Sequence, residues 1–208
     1  MAKYNTIADI RKSLNGGGAR PNLFEVDFPT NGVFTFVGSD SQLDSRVLVK
    51  AAQLPASNIA SIDVPFRGRI MKVAGDRTFD TWTVTVINDV DFNLRTAFQN
   101  WMQKIAQYAD GSGEMDPGVY KSTATVKQLK RKTSNMGQTS DSGLEEAYSY
   151  TFYGIFPTNI SAIDLSYDTA DTIEEFTVEF QVDYWAPSNG DQPAVNDTIN
   201  TAPAGDGN

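Results

Sequence analysis

The chain has 208 residues, with 17 Lys and Arg against 26 Asp and Glu, which gives a net charge of −9. It contains no cysteine and no histidine, which excludes disulfides, thiol nucleophiles, zinc sites with sulfur or imidazole ligands, and histidine-dependent triads. The acidic balance also disfavours general nucleic-acid binding, because affinity for phosphate comes from clustered Lys and Arg.

The first predicted strand follows a glycine-rich segment. Residues 15–20 read Asn-Gly-Gly-Gly-Ala-Arg, and consecutive glycines favour neither helix nor strand. Beyond them Phe24, Val26 and Phe28 alternate with acidic residues, which is the pattern of a half-buried strand. Further short strands are predicted at 33–37, 46–53 and 59–64.

A β-rich region occupies residues 67–87. After the stretch 67–73, the sequence Ala-Gly-Asp-Arg at 74–77 predicts a turn, and a long strand is predicted from Phe79 to Ile87. Alternation in this strand gives it one hydrophobic face and one threonine face: Trp82, Val84 and Val86 against Thr81, Thr83 and Thr85. The threonine face fits a strand whose second side meets water or a hydrated lumen.

One helix is predicted after this strand. Asp89 or Asp91 can cap its N-terminus. Hydrophobic residues then recur at spacings of four, three, four and three before Gly111: Leu94, Phe98, Trp101, Ile105 and Tyr108. Helical spacing alone explains this stripe, so we interpret it as the face that packs on a sheet rather than as a ligand site.

The remaining segments again alternate. A strand is predicted at 119–129, then a long polar loop from Lys130 to Glu146, then a strand through Tyr148, Tyr150 and Phe152. In the last predicted strand the hydrophobic face is Phe176, Val178, Phe180, Val182 and Tyr184, and the opposite face is Glu175, Glu179 and Asp183. The segment 187–208 is poor in hydrophobic residues and predicts a mobile acidic tail.

These elements predict a mainly β protein of one domain: an antiparallel β-sandwich or partly closed barrel with one flanking α-helix. Open sheet edges invite pairing with another copy. Residues 1–132 carry all 17 bases with 13 acids, a net +4, whereas residues 133–208 carry 13 acids and no base. This polarity suits head-to-tail contact between identical copies, although a solvated acidic tail would explain it equally well.

Few residues suggest chemistry. Asp110, Ser112, Glu114 and Asp116 resemble a calcium loop, but Lys121 stands where the closing Glu of an EF-hand would be. The acids Asp164, Asp168 and Asp171 are interpreted as a solvated turn rather than paired catalytic carboxylates. The bases Lys127, Lys130, Arg131 and Lys132 lack neighbouring aromatics for base stacking, so we expect them to meet an acidic face of a neighbouring subunit.

Four stretches carry a family resemblance: Ala19–Phe24, Val73–Asp89, Phe156–Asn159 and Asp183–Trp185. In this order they resemble the tail tube protein of contractile-tailed bacteriophages, and the similarity runs from about residue 19 to residue 186. The resemblance implies a tail tube domain at 19–186, between a flexible N-terminal segment at 1–18 and the acidic tail at 187–208.

The resemblance further implies a structural, non-enzymatic role without cofactor or metal. Six copies would form a ring, and stacked rings would form a tube inside a contractile sheath. The expected partners are further copies of the chain, the sheath protein, and the baseplate and tail terminator proteins. Genomic DNA would pass through the lumen without specific binding, and no membrane contact is expected. The protein would be assembled in the host cytoplasm and reside in the virion tail.

The resemblance also gives site expectations. An acidic and polar lining lets DNA slide, so the candidate lumen-facing residues are Glu175, Glu179, Asp183, Thr81, Thr83 and Thr85. The candidate subunit-interface residues are charged side chains on turns and strand ends: Arg67, Arg69, Asp76, Arg77, Lys127, Lys130, Arg131, Lys132, Glu145 and Glu146.

Two alternative functions remain open from the sequence. The nearer one is the inner tube of a related secretion or extracellular contractile injection system. The distant one is a monomeric carbohydrate-binding β-sandwich that uses the aromatics Trp82, Trp101 and Trp185.

Overall fold

The computed structural model describes residues 7–14, 18–28, 34, 46–131, 144–168 and 171–188. Within these ranges it contains the helices α1 (Ile7–Ser13), α2 (Asn93–Ile105) and α3 (Pro117–Tyr120). The strands are β1 (Phe24–Asp27), β2 (Val49–Ala52), β3 (Ser57–Phe66), β4 (Arg69–Phe79), β5 (Trp82–Ile87), β6 (Ser122–Arg131), β7 (Leu144–Ile160), β8 (Glu175–Gln181) and β9 (Tyr184–Ser188).

The main sheet is antiparallel and seven-stranded, in the order β1-β6-β7-β8-β5-β2, with β9 also paired to β7. Strand β7 is 17 residues long and serves both halves of this sheet. Its N-terminal part pairs with β6 and β9, and its C-terminal part pairs with β8. The mainly β, antiparallel fold class with one long helix is therefore confirmed.

Alternation separates core from surface as predicted in β5 and β8. The hydrophobic faces of these two strands are almost fully buried: Trp82, Val84, Val86, Phe176, Val178 and Phe180. Their aromatic rings form one cluster, in which Trp82 stacks on Phe152 at a centroid distance of 4.4 Å. Each fully buried large apolar side chain contributes roughly 1.5–3 kcal/mol relative to exposure, so this cluster is the main source of the subunit's stability.

Helix α2 covers the cluster with the predicted stripe. Leu94, Phe98 and Trp101 are buried, and the Trp101 indole N–H donates to the carbonyl oxygen of Tyr120 at 2.7 Å. The predicted cap at Asp89 or Asp91 was wrong, because the N-cap residue is Phe92 and no side chain caps the helix. The Asp89 carboxylate only accepts a hydrogen bond from the Asn93 backbone N–H. The predicted hydrophobic stripe is too long at its C-terminal end, because α2 ends at Ile105 and Tyr108 is exposed.

Several predicted boundaries were wrong. The strand predicted at 119–129 begins only at Ser122, after α3, and the strand predicted from Phe79 to Ile87 is broken between Phe79 and Trp82. The last strand is interrupted: β8 ends at Gln181 and pairs with β5 and β7, whereas β9 begins at Tyr184 and pairs with β7 alone. The predicted loop 130–146 is partly strand, because Lys130 and Arg131 end β6 and residues 144–146 begin β7. Pro187 and Ser188, predicted to start the tail, pair with Tyr150 and Ser149.

Other predictions fall largely outside the described residues. Of the strand predicted at 33–37 only Phe34 is described, and it is buried. Of the predicted tail, residues 189–208 lie outside them. In the described part of the chain, no helix has the length and hydropathy needed to cross a bilayer.

Candidate functional site: the assembly surface

A hairpin of β3 and β4 forms a sheet of its own beside the main one. All of β3 is exposed, and in β4 only Gly75 and Phe79 are half-buried. We call this hairpin, residues 57–79, the arm. A two-stranded hairpin is marginally stable in water by itself, so the arm needs support from its root and from whatever it contacts.

One face of the arm is mainly apolar, with Arg69 opposite Phe66 at its tip, and the other face is mixed, since Pro65 pairs with Ile70 there. Ile62 pairs with Val73 and Val64 pairs with Met71, and directly paired residues lie on the same face. The apolar face is Ile62, Val64, Phe66, Met71 and Val73, whose side chains are between 39% and 68% exposed. The other face carries the Asp63–Lys72 ion pair at 2.9 Å. An exposed apolar patch of this kind marks an interaction surface.

The turn of the arm lies at Arg67 and Gly68, which have positive φ angles of 46° and 80°. The turn predicted at 74–77 was therefore wrong, because these residues belong to β4. Glycine tolerates this left-handed conformation, and it is unusual for arginine. Arg67 and Arg69 consequently stand at the tip of the arm.

Gly75 and Asp76 form a β-bulge instead of a turn. The register shifts there, so that both residues oppose the single residue Ala60. A Cβ on Gly75 would lie 3.1 Å from the Ala60 carbonyl oxygen, closer than most real contacts. The glycine thus permits the close approach of the two strands, and Asp76 and Arg77 lie on the shaft of the arm near its root.

Trp185 on β9 anchors the root of the arm. Its indole N–H donates to the Ala56 carbonyl oxygen at 3.1 Å, and its ring packs edge-on against Phe79 and Tyr150. A second tie joins the Asn58 amide to the Asp80 carboxylate at 2.8 Å. The arm is therefore attached at both strands to the main body.

The outer face of β5 and β8 is polar, as predicted. Thr83 pairs with Glu179, Thr85 with Thr177, and Ile87 with Glu175, so these side chains share one face, opposite the core. Lys50 donates to the Glu175 carboxylate, which neutralises that acid. Among the predicted carboxylates, Glu179 is thus the one on this strand face without an ion pair in the described part of the chain.

Two predicted lumen residues lie outside the two strands. Thr81 precedes β5 at the break after β4, and Asp183 lies in the gap between β8 and β9. Asp183 forms an ion pair with Lys121 at 2.7 Å. A Cβ on Gly154 would lie 2.0 Å from its Oδ2 atom, and Gly154 has a positive φ of 64°. Glycine at 154 therefore makes room for this carboxylate, which is engaged within the subunit.

The predicted basic cluster lies along the second half of β6, where Lys127 is opposite Glu25 of β1 and only Lys130 and Arg131 extend beyond β1. Lys127 pairs with Asp27 at 2.7 Å, and Lys130 pairs with Glu145 at 3.7 Å. Arg131 lies opposite Leu144 at the end of this ladder, Glu146 is exposed on β7, and Lys132 lies outside the described residues. Two of the bases are thus paired within the subunit.

The aromatic and acidic candidates for ligand binding have structural roles. Trp82 and Trp101 are 2% and 1% exposed, which contradicts their use as a carbohydrate platform. Hydrogen bonds from the Ser112 side chain and backbone lower the pKa of Asp110, and Asp116 caps helix α3 at Gly118. No group of three or more potential metal ligands occurs among the described residues.

Sequence reasoning missed the apolar face of the arm. Hydrophobic residues alternate at 62, 64 and 66 and again at 71 and 73. This alternation could have predicted two strands with a shared apolar face. Pro65 pairs with Ile70 inside the arm, so the strand continues past residue 64, where its prediction stopped. The structure thus identifies a projecting, amphipathic hairpin as the main candidate for contact with other molecules.

Comparison with known proteins identifies the family. Residues 19–188 match the family described as phage tail tube protein. The chain belongs to the phage tail tube protein family. It is 33% identical over 181 residues to the tail tube protein gp19 of Enterobacteria phage T4, covering 86% of this chain and 98% of that protein. The tail tube protein of Serratia phage KSP90 is 23% identical, covering 85% and 93%.

Solved structures share the fold. The tube-containing sheath-tube complex of an extracellular contractile injection system, PVC, gives a TM-score of 0.57 at 13% identity, covering 89% of this chain and 99% of that one. The tube-terminating cap of the anti-feeding prophage gives 0.56 at 16% identity, covering 82% and 91%. Family membership confirms the resemblance found in the sequence, and the chain is a structural tube subunit of contractile-tailed phages. That role implies no enzymatic activity.

Proposed function

We propose that six copies of the chain form a ring and that rings stack head to tail into the inner conduit of a contractile phage tail. The observation that carries this proposal is the arm, because a 23-residue hairpin with an uncovered apolar face belongs against another copy in a tube family. The tube domain runs from residue 19 to Ser188, where β9 ends.

The free strands of the main sheet support ring closure. Strand β2 lies at one end of the strand order and β1 at the other, and β9 pairs with β7 alone. Unpaired strand edges seek partners, and closing a ring through them removes exposed edges altogether. The contacts between copies also include the charged residues of the arm and of the β6–β7 end: Arg67, Arg69, Asp76, Arg77, Lys127, Lys130, Arg131, Lys132, Glu145 and Glu146.

The polar face of β5 and β8 lines the lumen in this proposal. Threonine hydroxyls and the free carboxylate of Glu179 offer DNA no cation to bind, and Lys50 is held by Glu175. Even weak phosphate contacts repeated in every subunit would add up along a tube. Genomic DNA therefore passes without specific binding, while Asp183 and Thr81 lie off this face.

The remaining partners follow from the assembly. We propose that a contractile sheath surrounds the tube and that baseplate and terminator proteins bind its two ends. Solved relatives of the fold come from a sheath-tube complex, a tube-terminating cap and a baseplate. The subunits are made in the host cytoplasm and are incorporated into the virion tail.

The fold shared with injection systems supports a second candidate, the inner tube of such a machine, which carries protein cargo. The sequence matches at 33% identity to phage proteins favour the phage tube. The two differ in what the tube is attached to, so isolation of the assembled tube with DNA-filled heads distinguishes them.

Negative-stain electron microscopy of the purified protein, together with sedimentation over a range of concentrations, tests the proposal. We expect sixfold rings or tubes with an open lumen. A protein that remains a single globular subunit at every concentration, and within purified particles, would refute it.

A further inference from the structure

The two ends of strands β5 and β8 differ in charge. The arm leaves the body beside Trp82, which pairs with Phe180 at one end of the two strands. The segment 161–175 reaches β8 at Glu175, which pairs with Ile87 at the other end. These ends are about 17 Å apart, at roughly 3.3 Å per strand residue. The arm and this segment therefore lie at opposite ends of one sheet.

The arm is basic at its tip. Residues 57–79 contain four bases and two acids. Lys72 is paired with Asp63 within the arm, whereas Arg67 and Arg69 take part in none of the ion pairs among the described residues. The Arg67 guanidinium lies over the Phe66 ring at 5.4 Å. The tip thus presents two cations beside an exposed aromatic ring.

The segment at the other end is acidic and partly apolar. Residues 161–175 contain five acids and no base. Its described residues surround an open hollow of about 640 Å³ whose lining includes Asp164, Leu165, Tyr167, Ile173 and Glu174. Leu165, Tyr167 and Ile173 are among the exposed large hydrophobic residues of the chain. Asp164, Asp168 and Asp171 take part in none of the described ion pairs.

From this complementarity we infer that the tip of the arm of one copy docks in the acidic hollow at 162–168 and 171–175 of the next copy. The inference rests on the proposed function, because it names the receptor for the arm in the tube. Arginines meet carboxylates, and Phe66 meets the apolar lining. Because donor and receptor are different surfaces at opposite ends of the subunit, the contact is heterologous and propagates from copy to copy. This contact also gives a role to Asp164 and Asp168, which the sequence analysis interpreted as part of a solvated turn.

Charge reversal tests this pairing. We expect Arg67→Glu with Arg69→Glu to lower tube formation by about tenfold or more, and Asp164→Lys with Asp168→Lys to do the same. Combining all four substitutions in one chain restores complementarity, so we expect tube formation within about threefold of the original. The matched control combines the two arginine substitutions with Asp110→Lys and Glu114→Lys, two exposed acids outside the proposed contacts, and we expect no rescue.

A covalent trap gives a second readout. Since the chain has no cysteine, Arg69→Cys with Asp168→Cys introduces the only two thiols. Oxidation of assembled tubes should produce a ladder of disulfide-linked oligomers, whereas Arg69→Cys with Glu114→Cys should not. Failure of both the charge rescue and the ladder, with the original protein still forming tubes, overturns this inference alone. Failure of the original protein to form rings or tubes would refute the proposed function instead.

Discussion

The main sheet and the arm share a pattern of alternating hydrophobic residues but differ in how far the hydrophobic face is buried. In β5 and β8 the hydrophobic face meets helix α2 and the rest of the core, and its side chains are at most 2% exposed. In the arm the hydrophobic face is only partly covered by the described residues, and Phe66 is 68% exposed. Alternation therefore predicts which face is apolar, but it does not tell whether the same chain or another copy covers that face.

The largest expected effect is on the free energy of unfolding, which should depend on the core of the main sheet and not on the arm. Phe180→Ala removes a fully buried ring that contacts Trp82 and Phe98, so we expect a loss of about 3–5 kcal/mol in the free energy of unfolding. Phe66→Ala, the matched change in the arm, should alter it by less than about 0.5 kcal/mol. Urea denaturation of the unassembled subunit measures both, and equal losses would contradict the comparison.

Tube formation should be sensitive to substitutions on the apolar face of the arm. Val73 lies on the apolar face of the arm, and its neighbour Ala74 lies on the other face. Val73→Asp would bury a charge in the interface, which costs about 2 kcal/mol or more, so we expect tube formation to fall by one to two orders of magnitude. Ala74→Asp should change it by less than about threefold. Pelleting of tubes by ultracentrifugation measures both, and equal behaviour of the pair would show that the apolar face is not the contact.

The root of the arm offers a smaller effect. Trp185→Ala removes the hydrogen bond to Ala56 and the ring contacts with Phe79 and Tyr150, so the arm should open more often. We expect backbone amides of the arm to exchange hydrogen about tenfold faster in the free subunit. Trp185→Phe retains a ring without the N–H donor and should lie between. Unchanged exchange in both variants would mean that the arm is held by other contacts.

The smallest effect concerns the lumen. Glu179→Gln removes a free carboxylate from the polar face of β5 and β8, so DNA release from virions should slow by a few fold. Glu175→Gln should have less effect, because Lys50 already neutralises that acid. Single-particle ejection kinetics measure the difference. Ejection at the original rate in the Glu179 variant would place this face outside the channel.

The interface charges should respond to salt. Attraction between exposed charges is largely screened beyond about 8 Å at physiological ionic strength, so contacts made by Arg67 and Arg69 should weaken as salt rises. We expect tube formation by the original protein to decline between low and high salt, and the Arg67→Glu, Arg69→Glu variant to show a smaller decline. A salt-independent assembly would assign the contact to the apolar face alone.

Local patterns in the sequence were sufficient for much of the fold. Alternation identified the faces of β5 and β8, and the helical stripe identified the buried face of α2, because burial selects side chains at the period of each element. The turns and bulges that interrupt the strands were harder to predict. Gly75 and Asp76 have turn-forming composition yet form a bulge, since their strand continues to pair with β3 on both sides.

The candidate site depended more strongly on tertiary structure. Glu175 and Glu179 were correctly placed on one face, but the engagement of Asp183 by Lys121 could not be read from positions 62 residues apart. Likewise, Lys127 appeared to be an unpaired base until the pairing of β1 with β6 brought Asp27 beside it. Pairing partners that are distant in the chain are a property of strand register, which the local sequence specifies only weakly.

Strand β7 has a mechanical consequence. It runs without interruption from the half of the sheet that holds β6 and β9 into the half that holds β8. A load applied to either half therefore passes to the other along a covalent backbone as well as across side-chain packing. In the proposed tube, each subunit therefore resists separation of the two halves of its main sheet through a covalent backbone as well as through packing.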